Sequence, residues 1–235
     1  MKKLLAIAIT AATPMMAQAD LLFTIDAGAS VWNAEASGDV DDTNNNSIDL
    51  DDDLGIKSEQ SNVLFASFEH PVPVLPNIKI MKTDLDLSGN ANSQVDLSHT
   101  DFTLYWGVPL PIPFFDINFG LTARQFDGEI LLPTNTESED LSFTMPMGYL
   151  NVDFDSHFGV YARAELNALS FDGNGVTDTS LAVGYTLPLP IPFVDINIEA
   201  GHRAINLMTD KDTVDIETDV EVSGMFAGLN VSIGL

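Results

Sequence analysis

Pro109-Leu110-Pro111-Ile112-Pro113-Phe114-Phe115-Asp116-Ile117-Asn118 returns 79 positions later as Pro188-Leu189-Pro190-Ile191-Pro192-Phe193-Val194-Asp195-Ile196-Asn197, and a looser copy, Pro71-Val72-Pro73-Val74-Leu75-Pro76-Asn77-Ile78, lies upstream. Proline has no amide hydrogen to give to a ladder, so each copy reads as a break between two strands. The residues after each of the two close copies alternate. Phe115, Ile117, Phe119, Leu121 and Ala123 interleave with Asp116, Asn118, Gly120, Thr122 and Arg124; Val194, Ile196, Ile198 and Ala200 interleave with Asp195, Asn197, Glu199, Gly201 and Arg203. A period of two is a strand with one apolar and one polar face. Both polar faces reach an arginine, so a hairpin unit has been duplicated.

From these units the chain is phased into ten strands. The first runs from Leu21 to Trp32, and the stretch from Asn33 to Gln60, dominated by Asp, Asn, Ser and Gly, is too polar to bury a core. Further strands are expected at Asn62 to Glu69, Asn77 to about Leu87, His99 to Val108, Asp116 to Phe126, Leu141 to Phe154, Phe158 to Leu169, Leu181 to Leu187, Val194 to about Leu207, and a last one ending at Leu235. Numbering the nine connections in order, every even one is short and three of those four are proline-rich, whereas the odd ones hold most of the acidic loop residues. Short turns at one end and long polar loops at the other are the organisation of an all-β, antiparallel, up-and-down transmembrane barrel.

The N-terminus agrees with export. Met1-Lys2-Lys3, an apolar run from Leu4 to Ala12 and the small-x-small Ala17-Gln18-Ala19 read as a signal peptide over residues 1–19, leaving 20–235 as a single barrel domain. Of the 235 residues 45% are hydrophobic, none is cysteine, and the net charge is -26. Loss of Lys2 and Lys3 takes the nine basic residues to seven against 35 acidic ones, 7 - 35 = -28. Such a surface excludes nucleic acid as a partner and points to cations or basic partners. Arg124, Arg163, Glu165, Glu199 and Arg203 fall on polar faces; an arginine facing mid-bilayer lipid costs about 2–4 kcal/mol, so these five are expected as a lumenal charge cluster. Ten strands enclose little more than the filled eight-stranded case, so the interior is expected to be filled or very narrow. Trp32, Trp106, Phe115 and Tyr149 are expected in an interfacial aromatic girdle.

The chain resembles an uncharacterised family of proteobacterial outer-membrane β-barrel proteins. The resemblance rests on Phe68-Glu69-His70-Pro71-Val72-Pro73-Val74-Leu75-Pro76-Asn77-Ile78, Thr83-Asp84-Leu85-Asp86, Leu97-Ser98-His99-Thr100-Asp101 and Gly120-Leu121-Thr122-Ala123-Arg124-Gln125-Phe126-Asp127-Gly128. It implies the fold and an outer-membrane location, and with them the membrane's lipid and lipopolysaccharide and the barrel-assembly machinery as partners. It brings no reaction, ligand or cofactor. Such barrels usually end in an aromatic residue used in assembly, where this chain has Leu235.

Three constellations bear on chemistry. Asp49-Leu50-Asp51-Asp52-Asp53-Leu54-Gly55 has the acidic spacing of a calcium loop, yet Leu54 displaces the glycine and Gln60 stands where the closing glutamate belongs. Asp49, Asp51 and Asp53 are therefore expected to gather divalent cations loosely. His99 and Asp101 share one face of a strand whose hairpin partner carries Asp84 and Asp86, so a histidine with three carboxylates is one candidate hydrolytic site at the outer mouth. Omptin proteases set an acidic pair opposite an Asp-x-His pair; here the far side offers Asp210-Lys211-Asp212 without a histidine. Ser98 beside His99 makes no catalytic pair, because strand neighbours point to opposite faces. The expectation is therefore a non-enzymatic barrel without cofactor, with a structural or surface-interaction role or narrow passage of small solutes. The alternatives are an outer-membrane hydrolase and a soluble periplasmic ligand-binding barrel.

Overall fold

The computed structural model describes residues 23–41, 47–50, 55–56, 58–90, 93–109, 112–131, 139–156, 158–171, 174–209 and 218–234. Their strands, in order, are β1 (Thr24–Asp41), β2 (Ser47–Asp49), β3 (Glu59–Glu69), β4 (Asn77–Asp84), β5 (Asp86–Ser88), β6 (Gln94–Asp96), β7 (His99–Gly107), β8 (Phe115–Phe126), β9 (Gly128–Leu131), β10 (Glu139–Leu141), β11 (Thr144–Asp155), β12 (Val160–Phe171), β13 (Asn174–Thr186), β14 (Val194–Thr209) and β15 (Thr218–Gly234). Eleven form one sheet in the order β15-β14-β13-β12-β11-β8-β7-β4-β3-β1-β2, and β15 pairs back onto β1. Since β2 is a short strand hung on the far end of β1, ten antiparallel wall strands close into a barrel. Closure leaves the wall without an edge, so its backbone donors and acceptors are satisfied within the sheet.

The proline segments are the turns that the sequence implies. In the two close copies the same phenylalanine adopts a left-handed backbone, Phe114 at φ 75° and Phe193 at φ 64°. A side chain in that region is unfavourable by roughly 1–2 kcal/mol. Each turns its carbonyl across the seam to the last amide of another strand, from Asp155 to Phe114 at 2.9 Å and from Gly234 to Phe193 at 2.9 Å. The strain is thus offset by a ladder bond that ties neighbouring hairpins together. The looser copy is held by His70, whose Nδ1 accepts from Val72 N at 3.2 Å and whose Nε2 donates to Pro76 O at 3.2 Å.

Wall faces obey the alternation. Phe119 and Leu121 are 52% and 67% exposed on the outside, as are Phe102, Leu104, Leu181, Val183 and Leu229, while Arg124 is fully enclosed. Above this band the pattern inverts. On β1 the outward residues change from Ile25, Ala27, Ala29 and Val31 to Asn33, Glu35, Ser37 and Asp39, and the inward ones change from Asp26 and Ser30 to Trp32, Ala34 and Ala36. The reason is length. At about 3.4 Å per residue β1, with its 18 residues, spans roughly 60 Å, or about 45 Å at a tilt near 40°, well beyond an apolar band about 25 Å tall. Beyond that height β1 presents polar residues outward and buries its apolar ones inside.

That projecting crown has a core of its own: Trp32, Ala34, Ala36, Leu50, Ile56, Val63, Leu85, Leu87, Met147, Val176, Ile205, Val220 and Val222. This corrects the reading of residues 33–60 as unable to bury a core, because Ala34, Ala36, Leu50 and Ile56 all join it. Segments that read as connections also carry strands: β6, β9 and most of β10 join β5, the tail of the strand expected from Asn77 to about Leu87, in a small sheet of order β10-β9-β6-β5. The girdle assignment divides. Trp106 and Phe115 face outward, whereas Trp32 and Tyr149 are buried inside, where Trp32 Nε1 donates to Gly224 O at 3.2 Å.

Candidate functional site

The lumen is layered, and each layer arises from the inward parity of the wall strands. At the proline-turn end lies a cavity of about 520 Å³, lined among others by Asp26, Glu69, Asp116, Asp153, Asp155 and Asp195. Arg163 is the one lysine or arginine among the described residues of its lining. Above it lie two cavities of about 80 Å³ each, room for two or three waters apiece at roughly 30 Å³ per molecule.

A first polar tier crosses the barrel there. Lys79 Nζ meets Glu165 Oε2 at 2.5 Å, and Tyr149 OH donates to the same oxygen at 3.2 Å. Arg163 Nε donates to Asp153 Oδ1 at 2.7 Å, with Glu199 3.8 Å from its Nη1. Tyr161 OH and Asn230 Nδ2 both donate to Glu199 Oε2, at 3.1 and 3.3 Å, and Tyr105 OH donates to Glu69 Oε1 at 2.7 Å. A hydroxyl and amide chain, Thr103, Thr122 and Asn167, closes the side formed by β7, β8 and β12.

The second tier is fully enclosed. Arg124 grips Asp101 in a fork, Nε to Oδ1 at 2.8 Å and Nη2 to Oδ2 at 2.8 Å, and its Nη2 also donates to Asp178 Oδ2 at 2.5 Å. Arg203 takes Asp178 from the other side, through Nε at 3.0 Å and Nη2 at 2.7 Å, and donates from Nη1 to Thr83 Oγ1 at 3.0 Å. Its guanidinium lies 5.1 Å from the Trp32 ring, where the crown core begins. The two arginines that occupy matching places in the duplicated hairpins thus meet on one carboxylate. Arg124 and Arg203 balance Asp101 and Asp178, as buried charges must.

His99 completes this tier in a fixed tautomer. Its Nδ1 donates to Leu97 O at 2.8 Å, which leaves Nε2 to accept from Arg203 Nη2 at 3.5 Å. Both nitrogens are occupied, and the residue is buried. Asp101, its would-be partner, is held bidentate by Arg124. Asp84 and Asp86 stand on the opposite face of the wall, where Asp84 pairs with Lys82 at 3.0 Å and Asp86 Oδ1 accepts from the side-chain amide Nε2 of Gln94 at 2.9 Å. The four candidate hydrolytic residues are therefore split between an enclosed ion-pair layer and the outer surface. A base that must reach a substrate proton has no such access here.

Ligand atoms of His99, Asp101 and Asp178 lie within 4.8 Å of one another, the spacing of a metal site. The donor set does not fit one. Two guanidinium groups already hold both carboxylates, and a divalent cation would add charge where positive and negative now cancel. Asp49 sits in β2, half-buried, while Asp51 and Asp53 lie outside the described residues, as does Asp210-Lys211-Asp212.

All five residues of the expected charge cluster lie inside the wall, but in two tiers. Arg124 and Arg203 pair with Asp101 and Asp178; Glu165 pairs with Lys79. Asp178 and Lys79 are the members that sequence reasoning missed. Asp178 belongs to Thr177-Asp178-Thr179-Ser180, a stretch that reads as lying ahead of its strand, although it shares the inward parity of Ala182 and Gly184.

No family model matches the sequence, and no curated protein matches it. Among solved structures the chain is similar to a Pseudomonas aeruginosa FadL homologue, at 9% identity and a TM-score of 0.37, covering 91% of this chain and 90% of that one. It is likewise similar to Neisserial surface protein A, at 11% identity and a TM-score of 0.34 over 91% and 97% of the two chains. The β domain of the Bordetella autotransporter BrkA is a third, at 9% identity and a TM-score of 0.40 over 91% and 100%. These neighbours are outer-membrane β-barrel proteins, and at such scores the likeness extends to no shared ligand or activity.

Proposed function

We propose that this chain is an integral outer-membrane barrel, exported behind a leader at residues 1–19, with a closed lumen and an acidic crown that acts at the cell surface in a structural or interactive role. The reading rests above all on the inversion along β1. Apolar residues face out up to Val31, and from Asn33 upward polar residues face out around an apolar interior. A soluble barrel would keep one arrangement along its whole height. Lipid contact below and water contact above explain why the arrangement changes.

Long strands and acidic segments favour the crown as the outer side, with the proline turns and the ends of β1 at Thr24 and β15 at Gly234 on the periplasmic side. Through-passage of solutes would require both the Arg124–Asp178–Arg203 layer and the Trp32 core to part. In this reading the lumen is a periplasm-facing cup, the wall contacts lipid and lipopolysaccharide, and the assembly machinery inserts the barrel. Acidic groups outside the wall attract divalent cations diffusely.

The test is gel mobility with and without boiling, accompanied by alkaline washing of membranes and planar-bilayer recording. The expected result is a heat-modifiable band that stays with the membrane and gives no discrete conductance steps. Identical mobility with release at alkaline pH would overturn the membrane placement, and steady single-channel steps would overturn the closed lumen.

A further inference from the structure

On the outer wall, across β15, β1 and β3, the belt of large apolar side chains is interrupted. Ala29, Val31, Asn62, Leu64, Ala227 and Leu229 line a groove of about 380 Å³, with Ser30 and Gly228 contributing to its floor. At roughly 30 Å³ per water- or methylene-sized unit, it has room for about a dozen of them. The groove is apolar because outward positions here are mostly alanine and leucine, and it is deep because Ala29 and Ala227 are small while Leu64 and Leu229 stand up on either side.

Its position says which leaflet it faces. Val31 is register-paired with Asn62 and with Ala227, and the next outward residue on β1 is Asn33, where the exterior turns polar. The groove therefore hangs directly below the outer boundary of the apolar band. Lys82 lies across from Leu64 on the neighbouring β4, with its side chain 59% exposed. It is the one lysine or arginine among the described residues that points away from the lumen, since Lys79, Arg124, Arg163 and Arg203 all point in. Its ion-pair partner Asp84 is 51% exposed, and an exposed pair of this kind exchanges readily for another anion. Asn62 marks the top of the groove, opposite Asp84, and Lys82 stands beside it at the level of Leu64 and Ala29; this outward cation, the amide and the acyl-sized groove match an amphiphile whose headgroup phosphate displaces Asp84 from Lys82.

We infer that this groove binds one acyl chain of the phosphorylated glycolipid of the outer leaflet, lipopolysaccharide, with a headgroup phosphate at Lys82 and Asn62. The inference rests on the outer-membrane reading above and deepens it by naming a site on the wall. A second copy of the chain would also fill an apolar groove, but it would bring no phosphate to Lys82.

The experiment uses the full mature barrel in detergent micelles titrated with rough lipopolysaccharide, phosphatidylglycerol or phosphatidylethanolamine. Bound lipid and oligomeric state are read together by native mass spectrometry. The wild type is expected to retain lipopolysaccharide in preference to both phospholipids as a lipid-bound monomer. Lys82→Gln is expected to weaken retention about tenfold, the worth of one charge-assisted hydrogen bond. Ala29→Phe, which fills the groove from the outside without touching the lumen, is expected to abolish it. Equal retention by all three proteins, a preference for either phospholipid, or a dimer that Ala29→Phe dissociates would each overturn the site. Heat modifiability measured on the same samples keeps the two readings apart: its loss in the wild type would sink the membrane placement itself, while its persistence with unselective lipid binding sinks only the groove.

Discussion

Asp178→Ala removes the carboxylate on which the duplicated arginines meet, and the structure sets the size of the effect. The native tier holds Arg124 and Arg203 against Asp101 and Asp178 and is neutral; the variant keeps two cations and one anion, a net +1 enclosed between the barrel wall and the crown core. Three guanidinium hydrogen bonds to Asp178 are lost. At the lower end of the range for bonds to charged groups, about 1.5 kcal/mol each, they sum to roughly 4.5 kcal/mol, within the ~3–5 kcal/mol expected for breaking a buried pair from one side. Arg124 retains its fork on Asp101, so most of the loss falls on Arg203, left with Thr83, His99 and the Trp32 ring. Removing that cation as well, in Asp178→Ala with Arg203→Met, restores neutrality. The double variant is expected to recover about 1–3 kcal/mol relative to the sum of the singles. The assay is reversible urea unfolding of the barrel in lipid vesicles, monitored by Trp32 emission in a Trp106→Phe background. An Asp178→Ala variant within about 0.5 kcal/mol of the parent, or strict additivity in the double, would refute the shared-carboxylate argument.

Three further outcomes test other parts of the structure. Leu121→Arg, at the outward position that is 67% exposed, is expected to cost about 2–4 kcal/mol in vesicles, whereas Glu35→Arg on the crown stays within about 0.5 kcal/mol; similar costs at both would remove the lipid boundary. Gly38 has φ 111° and an added Cβ would lie 2.0 Å from Asp219 O, while nothing lies within 4 Å of one at Gly234, so Gly38→Ala should lower the unfolding free energy by more than about 1 kcal/mol and Gly234→Ala should leave the urea midpoint unmoved. If purified protein shows hydrolysis of any ester or peptide probe, His99→Ala is expected to retain it, because both ring nitrogens are engaged; abolition of turnover in that variant with folding intact would reinstate the hydrolytic reading.

The fold is legible in the sequence because its signals are local. Proline breaks mark the turns, alternation marks the wall strands, and the one-sided placement of long loops marks the two ends. The strand that begins at Phe115 reads to within a residue, since its turn and its period both speak. The first strand reads as ending at Trp32, nine residues short of Asp41, for an identifiable reason: the period-two pattern continues through Asn33, Ala34, Glu35 and Ala36, but with its faces exchanged and its apolar members shrunk to alanine. Residue type alone points Tyr149 and Trp32 to the girdle, although parity with Asn151 and with Ser30 places both inside. For the charge cluster, parity puts five residues on the inward face of the wall and leaves out Lys79 and Asp178, which pair with them. It does not identify their pairing, because which carboxylate reaches which arginine across a lumen depends on stagger between strands far apart in sequence.

Why the lumen is ionic where the outside is oily, and oily where the outside is wet, comes from one constraint applied twice. In the membrane placement proposed above, a wall strand inside the bilayer gains little by turning leucine inward, since lipid solvates that side chain equally well, so the interior is free to be filled with hydrogen-bonded and ionic groups that fix which strands face one another. Above the bilayer the same strands meet water, and each fully buried side chain such as Leu85, Leu87 or Ile56 then contributes about 1.5–3 kcal/mol only if it points in. The Arg203 guanidinium over Trp32 sits at the change of regime, with charge and ring each serving the layer on its own side. A chain that only needed to span would end its strands near Val31. β1, β14 and β15 instead continue for about half their length above that level around an apolar core, which is the feature the proposed surface role accounts for and a bare membrane span would not.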